Sequence, residues 1–205
     1  MQTQANFFLR RAQKPFTKKN ICSIMKENGT GGEGGMRVPA RQESCCFTGH
    51  RPAKLPWRYN ESDLRCAALK RRIMDAVEAA YEEGYRHFLC GMAMGCDFYF
   101  CECVLALRQK HGDVTLEAAV PCPTQAETWP YAQQARYRRL VQSCDFETVN
   151  STEYSPSCMQ RRDRYMVDHS ALLIAAFDGT AGGTRYTVEY AMRRGLDIVD
   201  VAIGG

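Results

Sequence analysis

The sequence predicts an α/β protein, a Rossmann-like three-layer sandwich in which helices cover both faces of a mostly parallel sheet. From residue 44 onward, short apolar runs alternate with longer amphipathic stretches, as strands joined by crossover helices do. The run 171–177, ALLIAAF, is apolar throughout, which is typical of a central strand buried on both faces. A length of 205 residues suits one such domain with a short appendage.

The elements follow in strict alternation. A long helix is predicted over 61–83, with a cap at Asn60 or Ser62 and an end at Gly84. Its apolar residues recur every three to five positions: Leu64, Leu69, Ile73, Val77 and Ala80. The other predicted helices span 97–110, 131–143, 159–168 and 184–194, and the predicted strands span 44–47, 87–90, 114–120, 146–149, 171–177 and 198–201.

Residues 1–43 are predicted to be a disordered, basic and glycine-rich tail, and residues 44–205 the folded domain. The stretch 29–35, GTGGEGG, loses too much conformational entropy on ordering to fold without a core. Eight basic and three acidic residues give the tail most of the positive charge, so the body is close to neutral. A neutral body makes nucleic acid an unlikely partner by this criterion.

The chain has eleven cysteines, which are predicted to be reduced thiols in the core. No CxxC pair and no histidine at zinc-ligand spacing accompanies them, so neither a metal nor a cofactor is predicted. Reduced cysteines favour a cytoplasmic location. No apolar run approaches the length of about 18 residues that crosses a bilayer, so no membrane partner is predicted.

The loops that follow the strands carry the candidate binding residues, because open α/β sheets bind ligands at the carboxyl ends of their strands. The loop 178–184, DGTAGGT, opens a helix, and its glycines let backbone N–H groups approach a phosphate. Thr184 can cap that helix and also donate its hydroxyl group. The simpler alternative is a turn that only needs glycine. Predicted ligand-binding residues here are Asp178, Gly179, Gly182, Gly183 and Thr184.

Two further loops are predicted to meet the first one. In 91–97, GMAMGCD, Gly91 and Gly95 are candidates, and Asp97 either binds a ribose hydroxyl or caps the next helix. The first strand ends in the candidates Thr48, Gly49, His50 and Arg51. Arg162, within QRRDRYM, is the predicted phosphate-binding side chain of its helix, although solvated arginines are the commoner case. The convergence of these groups predicts a phosphorylated small-molecule ligand.

These motifs together resemble the SLOG superfamily, in particular its YpsA-like branch, over residues 44–202. The resemblance rests on the combination of four segments: TGHRP, GMAMGCD, RRDRYMVD and FDG…GGT. It implies a Rossmann-like domain that binds a nucleotide or nucleotide-derived ligand, as a sensor or regulatory module. Homo-oligomers or protein partners are compatible with it.

The resemblance also implies two alternatives. Related LOG enzymes cleave nucleoside monophosphates, and MQRRDRYM resembles their first motif, with Arg162 on the motif's arginine. Gly183-Thr184 matches their G-T, but Arg185, Tyr186 and Thr187 follow, so the catalytic glutamate is not matched. Glu189 is expected to pair with Arg185 instead, and Asp97 or Asp178 would have to supply the carboxylate. The second alternative is a protein-interaction factor in cell division or envelope control.

Overall fold

A computed structural model describes residues 39–204 and confirms the predicted α/β fold. One six-stranded sheet, parallel throughout, has the strand order β4-β3-β2-β1-β5-β6. The strands are β1 (Ser44–Gly49), β2 (His87–Cys90), β3 (Thr115–Val120), β4 (Phe146–Val149), β5 (Leu172–Ala176) and β6 (Asp197–Val201). The helices are α1 (Leu64–Glu82), α2 (Cys96–Lys110), α3 (Tyr131–Gln142), α4 (Cys158–Asp168) and α5 (Gly183–Arg193).

The strand order decides which helices share a face. The chain steps outward from β1 to β4 through α1, α2 and α3, and then returns across the sheet through α4 to β5 and through α5 to β6. Because crossovers between parallel strands are right-handed, the reversal of direction places α4 and α5 on the face opposite α1, α2 and α3. The contacts between helices agree, since α1 packs on α2 and α4 packs on α5. The helices α4 and α5 therefore lie side by side.

The central strands are apolar and almost fully buried. All five residues of β5 are buried, and β1 is buried up to Thr48. The sheet separates two apolar clusters, one under α1 and α2 around Phe47, Phe88 and Phe100, and a smaller one under α4 and α5 around Leu173 and Val188. Stacking of the Phe47 and Phe100 rings, with centroids 4.5 Å apart, ties β1 to α2. The end of β1 is thus held rigidly where the candidate site lies.

The start of α1 differs from the prediction. Its N-cap is Asp63, whose carboxylate accepts a hydrogen bond of 2.8 Å from the backbone N–H of Arg65, so neither Asn60 nor Ser62 caps the helix. Leu64 is 85% exposed because it sits in the first turn, before the buried stripe begins. Gly84, with a φ of 100°, follows the end of the helix as predicted.

Positions 1–38 of the predicted tail lie outside the residues that the structure describes. At 41–43 the chain forms a 3-10 turn, and the carbonyl of Glu43 accepts a hydrogen bond from the N–H of Arg86 beside β2. Within residues 39–204 all ten cysteines are free thiols, and eight of them are buried. None of the described helices combines the length and the apolar character needed to cross a bilayer.

Candidate ligand-binding cavity

A cavity of about 300 Å³ opens at the carboxyl end of β1. It lies where β1 is flanked by β2 and β5, whose following helices leave on opposite faces of the sheet. Such a switch point leaves a crevice between the two diverging connections. The walls are the end of β1 and its 3-10 turn (52–54), the loop after β2, the start of α4 and the start of α5. The volume is at the lower end of the range for small-molecule sites.

The end of β1 is bound to the loop after β5 through His50. The His50 ring is buried, and its Nε2 lies 2.7 Å from Oδ1 of Asp178. The same Oδ1 accepts hydrogen bonds from the backbone N–H and the hydroxyl group of Thr180. Burial opposes ionisation of Asp178, but the bonds from His50 and Thr180 outweigh it and lower the pKa of this carboxyl to about 2. Asp178 therefore organises its own loop rather than facing the cavity.

Arg162 lies at the inner wall of the cavity and is 5% exposed. Its Nη1 donates a hydrogen bond to the carbonyl of Gly91 and lies 3.9 Å from Oδ2 of Asp97. Its Nε lies 2.7 Å from Oδ1 of Asp163, an ion contact rather than an aligned hydrogen bond. A guanidinium with these partners is neutralised by protein carboxylates and fixes the loop after β2.

Asp97 contributes a carboxyl group with an unusual pKa to the cavity. It lies in the first turn of α2, it is 6% exposed, and its Oδ2 accepts a 3.0 Å hydrogen bond from the N–H of Ala93. Burial raises the pKa of Asp97 to about 6, although Arg162 and the Ala93 N–H favour the ionised form. Gly95, not Asp97, is the N-cap of α2. Asp97 thus closes its own loop and also lines the cavity.

The start of α5 presents backbone donors to the cavity. Gly182 is the N-cap, so Thr184 does not cap the helix; its hydroxyl donates to the carbonyl of Gly49 at 3.1 Å. Gly183 and Thr184 both line the cavity. The first turn of any helix leaves its N–H groups without intrahelical acceptors, and the helix dipole adds positive potential there. An anion in the cavity would meet these groups.

Two exposed cations stand at the rim beside that helix start. Lys54 donates a hydrogen bond to the carbonyl of Ala181, and Nη2 of Arg51 lies 3.9 Å from the sulfur of Met159. Neither Arg51 nor Lys54 pairs with a carboxylate within residues 39–204. The rim is therefore cationic, while the inner wall is balanced by Asp97 and Asp163.

The structure brings most of the predicted site residues together, but not all. Those that line the cavity are Thr48, Gly49, His50, Arg51, Asp97, Arg162, Gly183 and Thr184. Those that do not are Gly91, Gly95, Asp178, Gly179 and Gly182. Glu189 pairs with Arg185 at 2.8 Å, as predicted.

The glycines outside the lining have other reasons to be glycine. A Cβ on Gly91 would come within 1.7 Å of Nη1 of Arg162, so this residue makes room for the buried guanidinium. Gly95 has a φ of 95°, and a Cβ there would lie 2.8 Å from the carbonyl oxygen of His50. Gly179 has a φ of 87° at an exposed turn and has no atom close to its Cβ position.

Several lining residues were missed by the sequence analysis. Lys54 and Asp163 supply charge, and the apolar part of the wall consists of Phe47, Ala53, Ala93, Met159 and Met166. Met159 and Met166 lie in the motif that singled out Arg162, and their i, i+3, i+7 spacing with Arg162 was a signal that one helix face carries all three. Nothing in the sequence indicated Lys54 or Ala53.

The fold and the cavity define a class of protein: a Rossmann-like domain with a cavity at the switch point of its sheet. The family model described as the YspA SLOG family (YpsA) matches residues 45–197. The chain belongs to this family, which confirms the predicted resemblance.

Curated relatives agree with the family. The SPbeta prophage-derived protein YoqJ of Bacillus subtilis is 33% identical over 140 residues, which are 61% of this chain and 81% of YoqJ. A UPF0398 protein of Staphylococcus epidermidis is 28% identical over 112 residues, which are 54% of this chain and 60% of that protein.

Two solved structures share the fold. DNA processing protein A (DprA) from Streptococcus pneumoniae has a TM-score of 0.52 at 14% identity, covering 78% of this chain and 50% of DprA. DprA from Helicobacter pylori, whose structure concerns its single-stranded DNA binding mode, has a TM-score of 0.52 at 11% identity. The match covers 78% of this chain and 65% of that DprA chain. The chain thus spans half to two thirds of these proteins, and the likeness concerns the fold.

The expectation that nucleic acid is an unlikely partner is wrong, because a protein of the same fold binds single-stranded DNA. The expectation rested on the near-neutral net charge of the body. Net charge averages over the whole surface and is insensitive to a basic patch on one face.

Proposed function

We propose that the chain binds a phosphorylated nucleotide, or a ligand derived from one, in the cavity at the end of β1, and acts as a sensor or regulatory module. The observation that carries the proposal is the meeting of two kinds of anion-binding group. The first turn of α5 opens into the cavity at Gly183 and Thr184, and the exposed cations Arg51 and Lys54 stand beside it.

The rest of the wall suits the remainder of a nucleotide. The thioethers of Met159 and Met166 and the methyl groups of Ala53 and Ala93 form an apolar surface on which a planar base can pack. Asp97 also lines the cavity and offers carboxyl oxygens to sugar hydroxyl groups. In this arrangement Arg162 positions the loop after β2, while Arg51 and the α5 start bind the phosphate.

The test is titration calorimetry of the full chain with AMP, adenosine and inorganic phosphate. AMP should bind more tightly than adenosine, because only AMP carries the phosphate. Arg51→Gln should weaken AMP by about tenfold and leave adenosine unchanged, since an exposed charged hydrogen bond is worth about 1.5 kcal/mol. The matched control is Arg138→Gln, an exposed arginine on α3. Equal affinity for AMP and adenosine would contradict the proposal.

One observation favours a second function, hydrolysis of the N-glycosidic bond. Asp97 combines burial, a place in the cavity wall and a pKa of about 6, the properties of a general acid or base at neutral pH. Release of ribose 5-phosphate from AMP, lost in Asp97→Asn, would support this function. Saturable AMP binding without release of ribose 5-phosphate would contradict hydrolysis and support the binding role.

A further inference from the structure

The outer surface of α4 and α5 carries arginines and tyrosines in contact with one another. We call this surface the α4–α5 seam and define it by Arg161, Arg164, Tyr186, Tyr190 and Arg193. All three arginines are exposed, and both tyrosines are partly exposed. The seam begins beside the mouth of the cavity, because Met159 and Gly183, at the starts of the two helices, both line that cavity. It runs from there down the length of the two helices.

The seam has an excess of positive charge. In α4, α5 and the adjoining Arg194, five arginines are exposed, and the carboxylates that accompany them at the surface are the half-buried Asp168 and Glu189. Both carboxylates are already paired, Asp168 with Arg194 at 2.8 Å and Glu189 with Arg185 at 2.8 Å. In the described part of the chain, Arg161, Arg164 and Arg193 have no carboxylate within salt-bridge distance. Three guanidinium groups are therefore available to an anionic partner.

The two tyrosine rings lie parallel on the surface of α5. Their planes differ by 7° and their centroids are 6.4 Å apart, one helical turn along the axis. Arg164 lies 5.9 Å and 5.8 Å from the two centroids and donates from Nε to the Tyr186 hydroxyl at 2.6 Å. Arg193 lies 5.8 Å from the Tyr190 ring. The Tyr190 hydroxyl donates to Asp168 at 3.1 Å, which fixes its ring.

We infer that the α4–α5 seam binds single-stranded nucleic acid. Parallel rings held in one orientation stack on successive bases, and the guanidinium groups beside them neutralise the phosphates that link those bases. A polyanion without aromatic rings would contact only the arginines, and the base faces of a duplex are covered by stacking. The combination of tyrosines and arginines therefore favours a single strand. This site lies outside the cavity and does not require a nucleotide there.

One end of the seam lies beside the cavity, so a strand bound along the seam has one of its ends near the cavity. A strand on the seam runs from Tyr190 past Tyr186 toward Gly183, where the helix start and Arg51 stand. A terminal phosphate of that strand would reach the anion-binding groups of the cavity. A strand with a terminal phosphate is therefore expected to bind more tightly than the same strand with a terminal hydroxyl group.

The test is fluorescence anisotropy of the full chain with a labelled oligothymidylate of about 12 nucleotides, a length within the range of single-strand sites. Tyr186→Ala should weaken binding about tenfold, and Tyr186→Phe, which keeps the ring, should bind like the wild type. Arg193→Ala should reduce the slope of log affinity against log salt by about 0.7, the value for one phosphate contact with a single strand. The matched control is Arg139→Ala, a 70% exposed arginine on the opposite face of the sheet.

The outcomes separate the seam from the cavity. Thermal unfolding and AMP titration of each variant establish that the fold and the cavity are intact. Loss of oligonucleotide binding in Tyr186→Ala with AMP binding retained supports the inference, as does the same loss in a protein that binds no AMP at all. Absence of oligonucleotide binding, an unchanged affinity in Tyr186→Ala and Arg193→Ala, or equal competition by duplex DNA or polyglutamate would overturn it.

Discussion

The two glycine-rich loops, 91–97 and 178–184, look alike in sequence but are built for different tasks. In the first loop the Cβ positions of Gly91 and Gly95 are filled by the protein itself, by Arg162 and by the backbone of His50. In the second loop Gly183 has no atom within 4 Å of its Cβ position and lines the cavity. The first loop is closed around a buried charge, whereas the second is open toward the cavity.

This difference shows that a glycine in the loop after a strand can have either of two structural roles. A glycine whose side-chain space is occupied is needed for packing, so its replacement costs stability. A glycine whose side-chain space is empty and faces a cavity is needed for access, so its replacement costs binding. Substitutions in the two loops should separate these two cases.

The largest expected effect is on stability, at Gly91. Gly91→Ala places a methyl group on the Arg162 guanidinium and should lower the free energy of unfolding by about 3 kcal/mol, the upper range for overpacking. Urea denaturation measures this. Gly112→Ala is the matched control, because nothing lies within 4 Å of its Cβ position. Similar stabilities of the two variants would show that the first loop is not closed.

Gly183→Val should weaken ligand binding and leave stability almost unchanged, the opposite of Gly91→Ala. The chain has room for the side chain, so the free energy of unfolding should change by less than about 1 kcal/mol. The side chain stands between the α5 start and the ligand, and AMP affinity should fall about 100-fold, equivalent to two charged hydrogen bonds of about 1.5 kcal/mol each. Calorimetry of this variant beside Gly112→Val makes the comparison. Retained AMP affinity would move the phosphate away from α5.

Asp97, the last residue of the closed loop, should make binding in the cavity depend on pH. With a pKa near 6, its carboxyl is ionised at pH 7.5 and protonated by pH 5, which removes one negative charge from the cavity wall. Affinity for cyclic AMP, a phosphodiester whose own charge is constant over this range, should therefore rise about tenfold as pH falls. Asp97→Asn should bind as tightly as the protonated wild type at both pH values. A wild-type affinity that is independent of pH would exclude this role for Asp97.

The smallest effect, on the free energy of unfolding, is expected at Asp178, which holds the open loop in place. Asp178→Asn weakens the bonds to His50 and Thr180 and should cost about 1 kcal/mol at pH 7, because the Asp178 side chain is 40% exposed. The pKa of Asp178 is lowered to about 2, so its contribution is complete above pH 4 and is lost as pH falls through 2. The difference from wild type should shrink accordingly in acid. Asp75→Asn, exposed on α1, is the control for removal of a surface charge.

Most of the fold could be predicted from the sequence. The buried run around Leu173 and Ile174 indicated a central strand, and β4 begins and ends where its apolar pattern does. Parallel strands separated by amphipathic helices leave few alternatives, so local patterns were sufficient. The cap of α1 was missed because Asn60, Ser62 and Asp63 are all suitable cap residues, and only the packing of the turn before the helix selects Asp63.

The candidate site could be predicted only in part. Loops at strand ends meet by topology, which is why Thr48, Asp97 and Gly183 were found together. The role of Arg162 depends on the rotation of α4 and on the positions of Asp97 and Asp163, and these are properties of packing. Lys54 enters through a 3-10 turn that no periodicity marks.

The contacts that close the cavity join residues far apart along the chain. Thr184 meets Gly49 across 135 positions, His50 meets Asp178 across 128, and Arg162 meets Gly91 across 71. Contacts of such long range form slowly, because the loops between them must close first. Because Thr184 lies near the end of the chain, the wall of the cavity is complete only once α5 has been synthesised and has packed beside β1.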